Sequence, residues 1–523
     1  MGTWIAVIDI GMTNKKVAVF DETLRLQAIE KRVFEPLLVE GLETHDLAGM
    51  EEWFLDSLAA LSKRFDIGAI VLCTHGATFV CADADGKPVL PCVYYTHEPG
   101  PEFQDRYYAL VGKPEELQAT TGTPRFSALI NPAKGLLFAK ERWPEAFART
   151  ALVLPYSQYW GMRLSGRAGL EGTYMGCHTY LYDWKKDSSS VVAERLGVAK
   201  KLPFPLRASW EALGTLRTEI AVRTGLSPDT IVTMGIHDSN ASLLPYLIKE
   251  KRGGFVLNST GTWCVLMRPC DRFGFAPEEL GKVVFFNRSA YNEPVKTAIF
   301  LGGKEYEVWS KLIGAEAKAP VGAPAAVCAA ASASADAKPC PAVYASVLAS
   351  RSEFILPEIV PGSGQFPGSV SQAVEGGRRY LFADLEKGVR RPAFLADRAR
   401  AEAVLNISLA LQTLVALERT GLSAGEKIFT EGGFRNNPEY NALLAAALPE
   451  NPVYLTDMAE ATSFGAALTG LAALEGRTPS DFGELFEIHA TAAPPMPGIA
   501  GFEAYKADWL ALIDSGLAER GSR

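Results

Sequence analysis

Two short apolar runs open the chain. Ile5 to Ile8 and Val17 to Phe20 each predict a buried strand, and the stretch between them is polar. That turn holds Gly11 and Asn14, residue types that tolerate positive φ. A tight turn of this kind aims several backbone N–H groups at one spot, and such a nest binds phosphate without a helix. Asp9 closes the first strand. Being an anion, it would need a divalent cation between itself and a phosphate. The stretch therefore reads either as a metal–nucleotide site or as a surface hairpin with a charged turn.

Further along, Trp53, Phe54, Leu58 and Leu61 recur at helical spacing and predict a helix over 50–65. A strand over 69–73 leads into Thr74-His75-Gly76, another strand follows at 79–82, and Asp83 to Gly86 reads as a hairpin turn. The chain returns through Tyr95-Thr96-His97. His75, Thr78, Tyr95 and His97 thus fall at strand ends and loops, where open α/β sheets hold ligands. Rings for C–H faces and polar tips for hydroxyls would suit a sugar, although either histidine could equally be a packed or solvated one. Residues 131–147 predict a helix up to Pro144, the aromatic stretch 152–165 predicts core, and 210–225 predicts a helix. The strand from Ile231 runs into Gly235, and Asp238 then falls where a helix should begin. Asp238 is either a helix N-cap or a general base exposed at a strand-to-helix junction.

Residues 253–267 repeat the opening pattern of strand, small polar turn and strand, with Gly261-Thr262 in the turn. The repeat suggests a duplicated architecture with a nucleotide between the halves. Residues 314–350 are rich in Ala, Pro and Ser and predict an insertion of mobile loop or marginal helix. A long Ala/Leu helix is predicted over 396–420. The strand from Lys427 enters the turn Gly432-Gly433, where the backbone can approach a flat ligand, and a helix should follow Pro438. Another helix begins at Glu460-Ala461.

At 523 residues the chain should form more than one domain. A net charge of −8 argues against nucleic acid or anionic membrane as main partner. The eight cysteines include no C-x-x-C pair, which suits free thiols in a reducing cytoplasm. No leader and no membrane-length apolar run are expected, so the location predicted is cytoplasmic.

Taken in order, Asp9-x-Gly11-x-Thr13-Asn14-x-Lys16, Thr74-His75-Gly76, Gly235-x-x-Asp238-x-x-Ala241, Gly261-Thr262, Gly432-Gly433 with Asn437-Pro438, and Glu460-Ala461 through Gly465 resemble the FGGY carbohydrate kinases. That family sits in the actin, sugar-kinase and heat-shock ATPase superfamily. The resemblance implies an α/β fold of two ribonuclease-H-like domains with a deep cleft, a sugar-binding domain at 1–248 and an ATP-binding domain at 249–523. It implies ATP and Mg²⁺ as cofactors, with Asp238 as catalytic base and with Asp9 and Asp238 near the metal. Gly11, Thr13, Asn14, Lys16, Gly261, Thr262, Gly432, Gly433 and Asn437 would hold the nucleotide. His75, Thr78, Tyr95, His97, His237 and Asp238 would hold the sugar. Met12, Cys73, Tyr95-Thr96-His97 and the loop Pro361–Pro367 depart from the family's usual residues.

Neutral His and Tyr suit hydroxyls and offer no strong cation, so an uncharged sugar or polyol is expected. The region around Tyr95 looks most like the rhamnulose and fuculose kinases, which favours a ketose or 6-deoxyketose such as fuculose, rhamnulose or xylulose. The rival readings are a non-catalytic sugar or nucleotide sensor on the same fold, and an ATPase that works without sugar. A homodimer is compatible with the sequence.

Overall fold

The computed structural model describes residues 2–250, 253–316, 340–458 and 460–521. They form two compact units. The main sheet of the first is built from β1 (Trp4–Ile10), β2 (Asn14–Phe20), β3 (Leu26–Val33), β4 (Ile67–Thr74), β5 (Ala212–Thr215), β6 (Ile231–Thr233) and β7 (Ile236–His237). The sheet order is β5-β6-β4-β1-β2-β3, with β7 also on β4. β1 and β4 are parallel and buried over nearly their whole length, which is why they read as continuous apolar runs. Register sets Asp9 opposite Lys16 on one side and Cys73 on the other.

One face of this sheet is covered by the helix Leu47–Leu61, which starts at Asp46, whose carboxylate accepts from the Gly49 N–H, and buries Met50, Phe54, Leu58 and Leu61. On the other face lies the helix Ala461–Glu475, close to β1 and β4. Small residues make this approach possible. A Cβ at Gly465 would lie 1.8 Å from the Ala241 carbonyl oxygen, and one at Gly470 would lie 2.5 Å from Ile5 Cγ2. The stretch 210–225, expected to be one helix, is instead β5 followed by the helix Thr218–Thr224. Gly214 and the alternation of buried Leu213 and exposed neighbours suit an edge strand better than a helix. The helix expected in 131–147 up to Pro144 is Pro132–Arg142, ending where Pro144 lacks the N–H that would continue it, and a short helix Pro144–Ala148 follows.

The second unit repeats the scheme with β8 (Phe255–Thr260), β9 (Cys264–Pro269), β10 (Pro294–Phe300), β11 (Lys427–Gly432), β12 (Val453–Thr456) and β13 (Ala490–Ala492), in the order β10-β9-β8-β11-β12-β13. As with β1, β2 and β4, β8 is antiparallel to β9 and parallel to β11. The helix Arg398–Thr420 is long and apolar enough to cross a membrane, contrary to the sequence expectation that no such run occurs. It is almost wholly buried and supplies the centre of this unit's core.

Of the stretch 314–350, residues 314–316 end the helix Gly302–Glu316, and Pro341–Ser350 is a helix that buries Tyr344, Val347 and Leu348. The Tyr344 hydroxyl accepts from Asn406 Nδ2 at 3.0 Å. These apolar anchors override the low-complexity composition at the end of the stretch; residues 317–339 lie outside the described residues. A linear division at 248/249 places Pro269–Lys296 and Met458–Ile488 with the second domain, whereas by contact they belong to the first unit. Met458–Ile488 does so because it carries the glycine-lined helix against β1.

Two buried carboxylates order the loop after the strand Glu353–Leu356, which pairs with Gln372–Glu375. Glu358, at φ +75°, accepts from the N–H groups of Ser363, Gly364 and Phe366, and Glu305 accepts from those of Glu358 and Ile359 and from Gln412 Nε2. Burial pushes Glu305 from 4.5 up to about 7. A carboxyl raised in the folded state contributes stability that is full below its ordinary value and is lost as pH rises through the folded one. Thermal unfolding followed from pH 4 to 8 should therefore show wild-type stability falling between about 4.5 and 7 by at most about 3 kcal/mol, a fall that Glu305→Gln flattens.

Candidate functional site

In the first unit the site begins with the Asp9 carboxylate, which is only 4% exposed. Ser463 Oγ donates to Oδ2 at 2.8 Å, and Lys16 Nζ stands 3.5 Å from the same oxygen. Lys16 also pairs with Glu460 at 2.6 Å, and Glu460 pairs with Lys31 at 2.6 Å. Burial raises the Asp9 pKa, Lys16 and Ser463 oppose the rise, and Asp238 adds to it. The two aspartates thus lie within electrostatic range. The turn after β1 closes by the Gly11 N–H donating to the Asn14 carbonyl at 3.0 Å. Neither Gly11 nor Asn14 takes a positive φ, so the left-handed conformations expected of them are not used. Thr13 and Asn14 are exposed. Lys15, on the opposite strand face from Lys16, is fully buried, with Nζ on the Met12 carbonyl at 2.8 Å.

Asp238 is the first residue of the helix Asp238–Lys249 and follows β7 directly. The cap position is His237, so Asp238 is not the N-cap. Its Oδ1 accepts from the Ser239 N–H at 2.6 Å and lies 3.3 Å from His237 Nε2. Burial raises its pKa, while His75 and the Ser239 bonds lower it. About 31% of its side chain meets solvent, which moderates the rise. Burial pushes His237 down to about 4, so the ring is neutral. Asn240 Nδ2 at 3.2 Å donates to Nδ1, which leaves the proton on Nε2, facing Asp238.

Residues 171–178, which carried no expectation, support this corner. The His237 N–H donates to Thr173 Oγ1 at 3.0 Å, and Thr173 Oγ1 donates to Glu171 Oε2 at 2.6 Å. Cys177 Sγ is 3.8 Å from His237 Nε2, and the Tyr174 ring stands edge-on to His237. The Tyr174 hydroxyl accepts from the Thr78 N–H at 2.9 Å and donates to the Thr78 carbonyl at 2.5 Å. The available signal was Glu171 followed by Thr173, a carboxylate placed to accept from N–H groups two and three residues on.

Of the four residues expected to line a sugar pocket, three share a neighbourhood. The His75 ring lies 5.7 Å from that of Tyr95, and Thr78 and Tyr95 line the same cavity. That cavity is about 50 Å³ and largely apolar, well below the ~300 Å³ at which ligand pockets begin. His75 Nδ1 bonds the Gly76 carbonyl at 2.8 Å, so its proton is there and Nε2 is an acceptor. His75 Nε2 and Thr78 Oγ1 are buried with no hydrogen-bond partner among the described residues. Burial lowers His75 to about 4. His97 goes elsewhere, its ring packing on Phe138 at 5.0 Å.

The second unit carries an open depression of about 440 Å³ bordered by Gly261, Thr262, Gly303, Lys304, Tyr306, Gly433 and Asn437. Its walls meet by backbone contact: a Cβ at Gly303 would fall 1.9 Å from the Gly261 carbonyl oxygen. Thr260 Oγ1 donates to the Glu431 carbonyl and accepts from the Phe434 N–H, fixing the turn at Gly432-Gly433 against β8. Asn437 caps the helix Pro438–Ala447 through the Tyr440 N–H at 3.0 Å.

Residues 4–245 match the FGGY family of carbohydrate kinases, N-terminal domain, and residues 252–479 match carbohydrate kinase FGGY, C-terminal domain. The chain belongs to the FGGY family of carbohydrate kinases. It is 25% identical over 269 residues to an L-fuculokinase from Salmonella typhi, a match that takes in 50% of this chain and 56% of that one. A xylulose kinase from Bacillus subtilis is 27% identical over 156 residues, covering 29% and 30% of the two chains. The match thus spans about half the length of the fuculokinase. Among solved structures, a carbohydrate kinase from Novosphingobium aromaticivorans superposes with a TM-score of 0.74 at 27% identity, covering 98% of this chain and 99% of that one. A gluconate kinase from Lactobacillus acidophilus gives 0.78 at 14% identity over 100% of each, a likeness of fold alone.

Within the family's double-glycine turn the two glycines differ physically. Gly432 has φ +77°, and a Cβ there would lie 2.0 Å from the Thr260 carbonyl oxygen, whereas one at Gly433 would meet that oxygen only at 3.8 Å. Gly432→Ala should therefore lower the unfolding midpoint by several degrees. Gly433→Val should fold normally but weaken ATP binding by about tenfold or more in calorimetric titration, with sugar affinity unchanged. Equal ATP affinity in that variant would move the nucleotide off this turn.

Proposed function

We propose that the chain transfers the γ-phosphoryl group of ATP to a hydroxyl of a small neutral sugar, with a ketose or 6-deoxyketose such as fuculose, rhamnulose or xylulose favoured. The observation that carries this reading is the Asp238 carboxylate, seated at a strand-to-helix junction, partly open to solvent and held against a neutral His237. The relatives named for fuculose and xylulose support the choice of acceptor.

Asp238 takes the proton of the attacking hydroxyl as that oxygen bonds the γ-phosphorus and the bond from phosphorus to the ADP oxygen breaks. Such transfers depend on positioning and charge neutralisation. The raised pKa makes Asp238 a stronger base than a solvated carboxylate, and the Ser239 N–H and hydroxyl hold the carboxylate in orientation. The Thr13 and Thr262 hydroxyls suit phosphate oxygens, and Lys16 supplies a fixed cation beside Asp9. Gly433 and Asn437 border the depression of a size for adenosine. His75 Nε2 and Thr78 Oγ1 are spare acceptors for sugar hydroxyls.

The residues fit Mg²⁺. Asp238 raises the pKa of Asp9, a repulsion that a bound dication would relieve. Mg²⁺ keeps most of its waters, so it would need only one or two protein carboxylates to hold it. When bound, it would neutralise charge on the β- and γ-phosphates. A sensor that keeps the fold without the chemistry would not need a base with a raised pKa here.

Asp238→Asn should cut sugar-dependent ADP release by about 10²-fold or more in a protein whose unfolding midpoint is unchanged. The active form of Asp238 is ionised, so the wild-type kcat should fall on the acid side through an apparent pKa above the ordinary carboxylate range. Near-normal turnover in the folded variant would remove Asp238 from the role of base. His75→Ala should raise sugar KM by about tenfold with ATP KM nearly constant.

A further inference from the structure

Three imidazoles crowd around Gly76, and one of them has no assigned task. A Cβ at Gly76 would lie 2.9 Å from His237 Nε2 and 3.3 Å from His178 Nε2, so both ring nitrogens converge on the bare side of this glycine. The third ring, His75, bonds the Gly76 carbonyl. His237 in turn touches Asp238. His178 is therefore one glycine away from the histidine beside Asp238, and it arrives from a separate segment of the chain.

The backbone at His178 is held in an unusual state. Its φ is +41°, and Tyr180 follows at +63°. Few L-residues adopt such angles unless their surroundings impose them, and such residues cluster at ligand sites. Here the surroundings do impose them. Asn131 Nδ2 donates to the His178 carbonyl at 3.1 Å, and Oδ1 of the same amide accepts from the Phe126 N–H at 3.2 Å. The Ala133 N–H donates to the Thr179 carbonyl at 3.3 Å. Phe126 and Phe285 stand edge-on to the imidazole with centroids 5.7 and 5.8 Å away.

The ring is only 9% exposed. Burial, with His237, pushes its pKa down to about 3 against the pull of the Ile130 and His178 carbonyls, so it is neutral. Nδ1 is buried with no hydrogen bond of ordinary length among the described residues. The fold thus holds a desolvated imidazole in place without giving it a full set of partners. A hydroxylated ligand would complete it, since a neutral imidazole both donates to and accepts from hydroxyls.

We propose that His178 is a specificity-determining residue of the sugar site, bonding a hydroxyl of the acceptor close to the one that Asp238 deprotonates. This rests on the kinase reading. Gly76 is then the residue whose missing side chain lets His178 and His237 face the same sugar.

The test compares wild type with His178→Ala and His178→Asn over a panel of ketoses, deoxyketoses and polyols. Asn tolerates positive φ and keeps a donor and an acceptor, so it guards against mere misfolding. ADP release gives KM and kcat, and calorimetric titration of each sugar without ATP reads the pocket independently of turnover. His178→Ala should raise sugar KM and Kd by tenfold or more and change the ranking of sugars, with ATP KM within twofold. His178→Asn should recover part of the affinity. Unchanged sugar KM and ranking in folded, active variants would overturn the proposal. A parallel loss for sugar and ATP with a lowered unfolding midpoint would also overturn it, by showing a purely structural role. If wild type releases no ADP with any sugar, the kinase reading fails; sugar binding that His178→Ala weakens would still uphold the site, and no sugar binding at all would overturn both.

Discussion

The candidate site depends on a contact with no side chain in it. Gly465 rests against the Ala241 carbonyl, and Gly470 rests against Ile5. Only bare backbone lets the helix Ala461–Glu475 sit this close to β1 and to the helix Asp238–Lys249. That closeness brings Ser463 to Asp9 and Glu460 to Lys16. Any residue larger than glycine at 465 would need backbone to move, and the hydroxyl and carboxylate that steady Asp9 and Lys16 would move with it.

The electrostatics follow from this packing. A carboxylate as buried as Asp9 is costly unless cations and donors meet it. Lys16 and Ser463 do so, while Asp238 pulls the other way. The two acids are thus held in mild mutual opposition inside one unit. Around Asp238 the rings are neutral: His75, His178 and His237 all lie far below their ordinary pKa because burial penalises their charged forms. These rings offer hydrogen bonding without positive charge, which is the physical basis of the neutral acceptor proposed above.

Much of this was legible in the residues. Short continuous apolar runs marked β1, β2, β4, β8 and β11, and Asp9, Asp238 and the glycine turns stood where strand ends placed them. What stayed hidden had tertiary causes. Nothing local shows that 458–488 returns to the first unit, since its glycines report only that something comes close. The 210–225 segment carried a mixed pattern whose strand half is settled by pairing with β6. His97 was grouped with His75 by sequence nearness, yet its ring is drawn to Phe138. Glu171 to His178 escaped notice because their role appears only when Thr173 meets the His237 N–H across the fold.

The discontinuity of the first unit has a consequence for the order in which the chain comes into being. A ribosome delivers residues from the N-terminus, and domains generally fold as they emerge. Here β1 and Asp9 emerge first, but the helix that covers them, with Ser463 and Glu460, emerges only after nearly all of the second unit. Until then the apolar face of β1 and β4 stands open. The exposed sheet is a surface of the kind that promotes aggregation until that helix arrives.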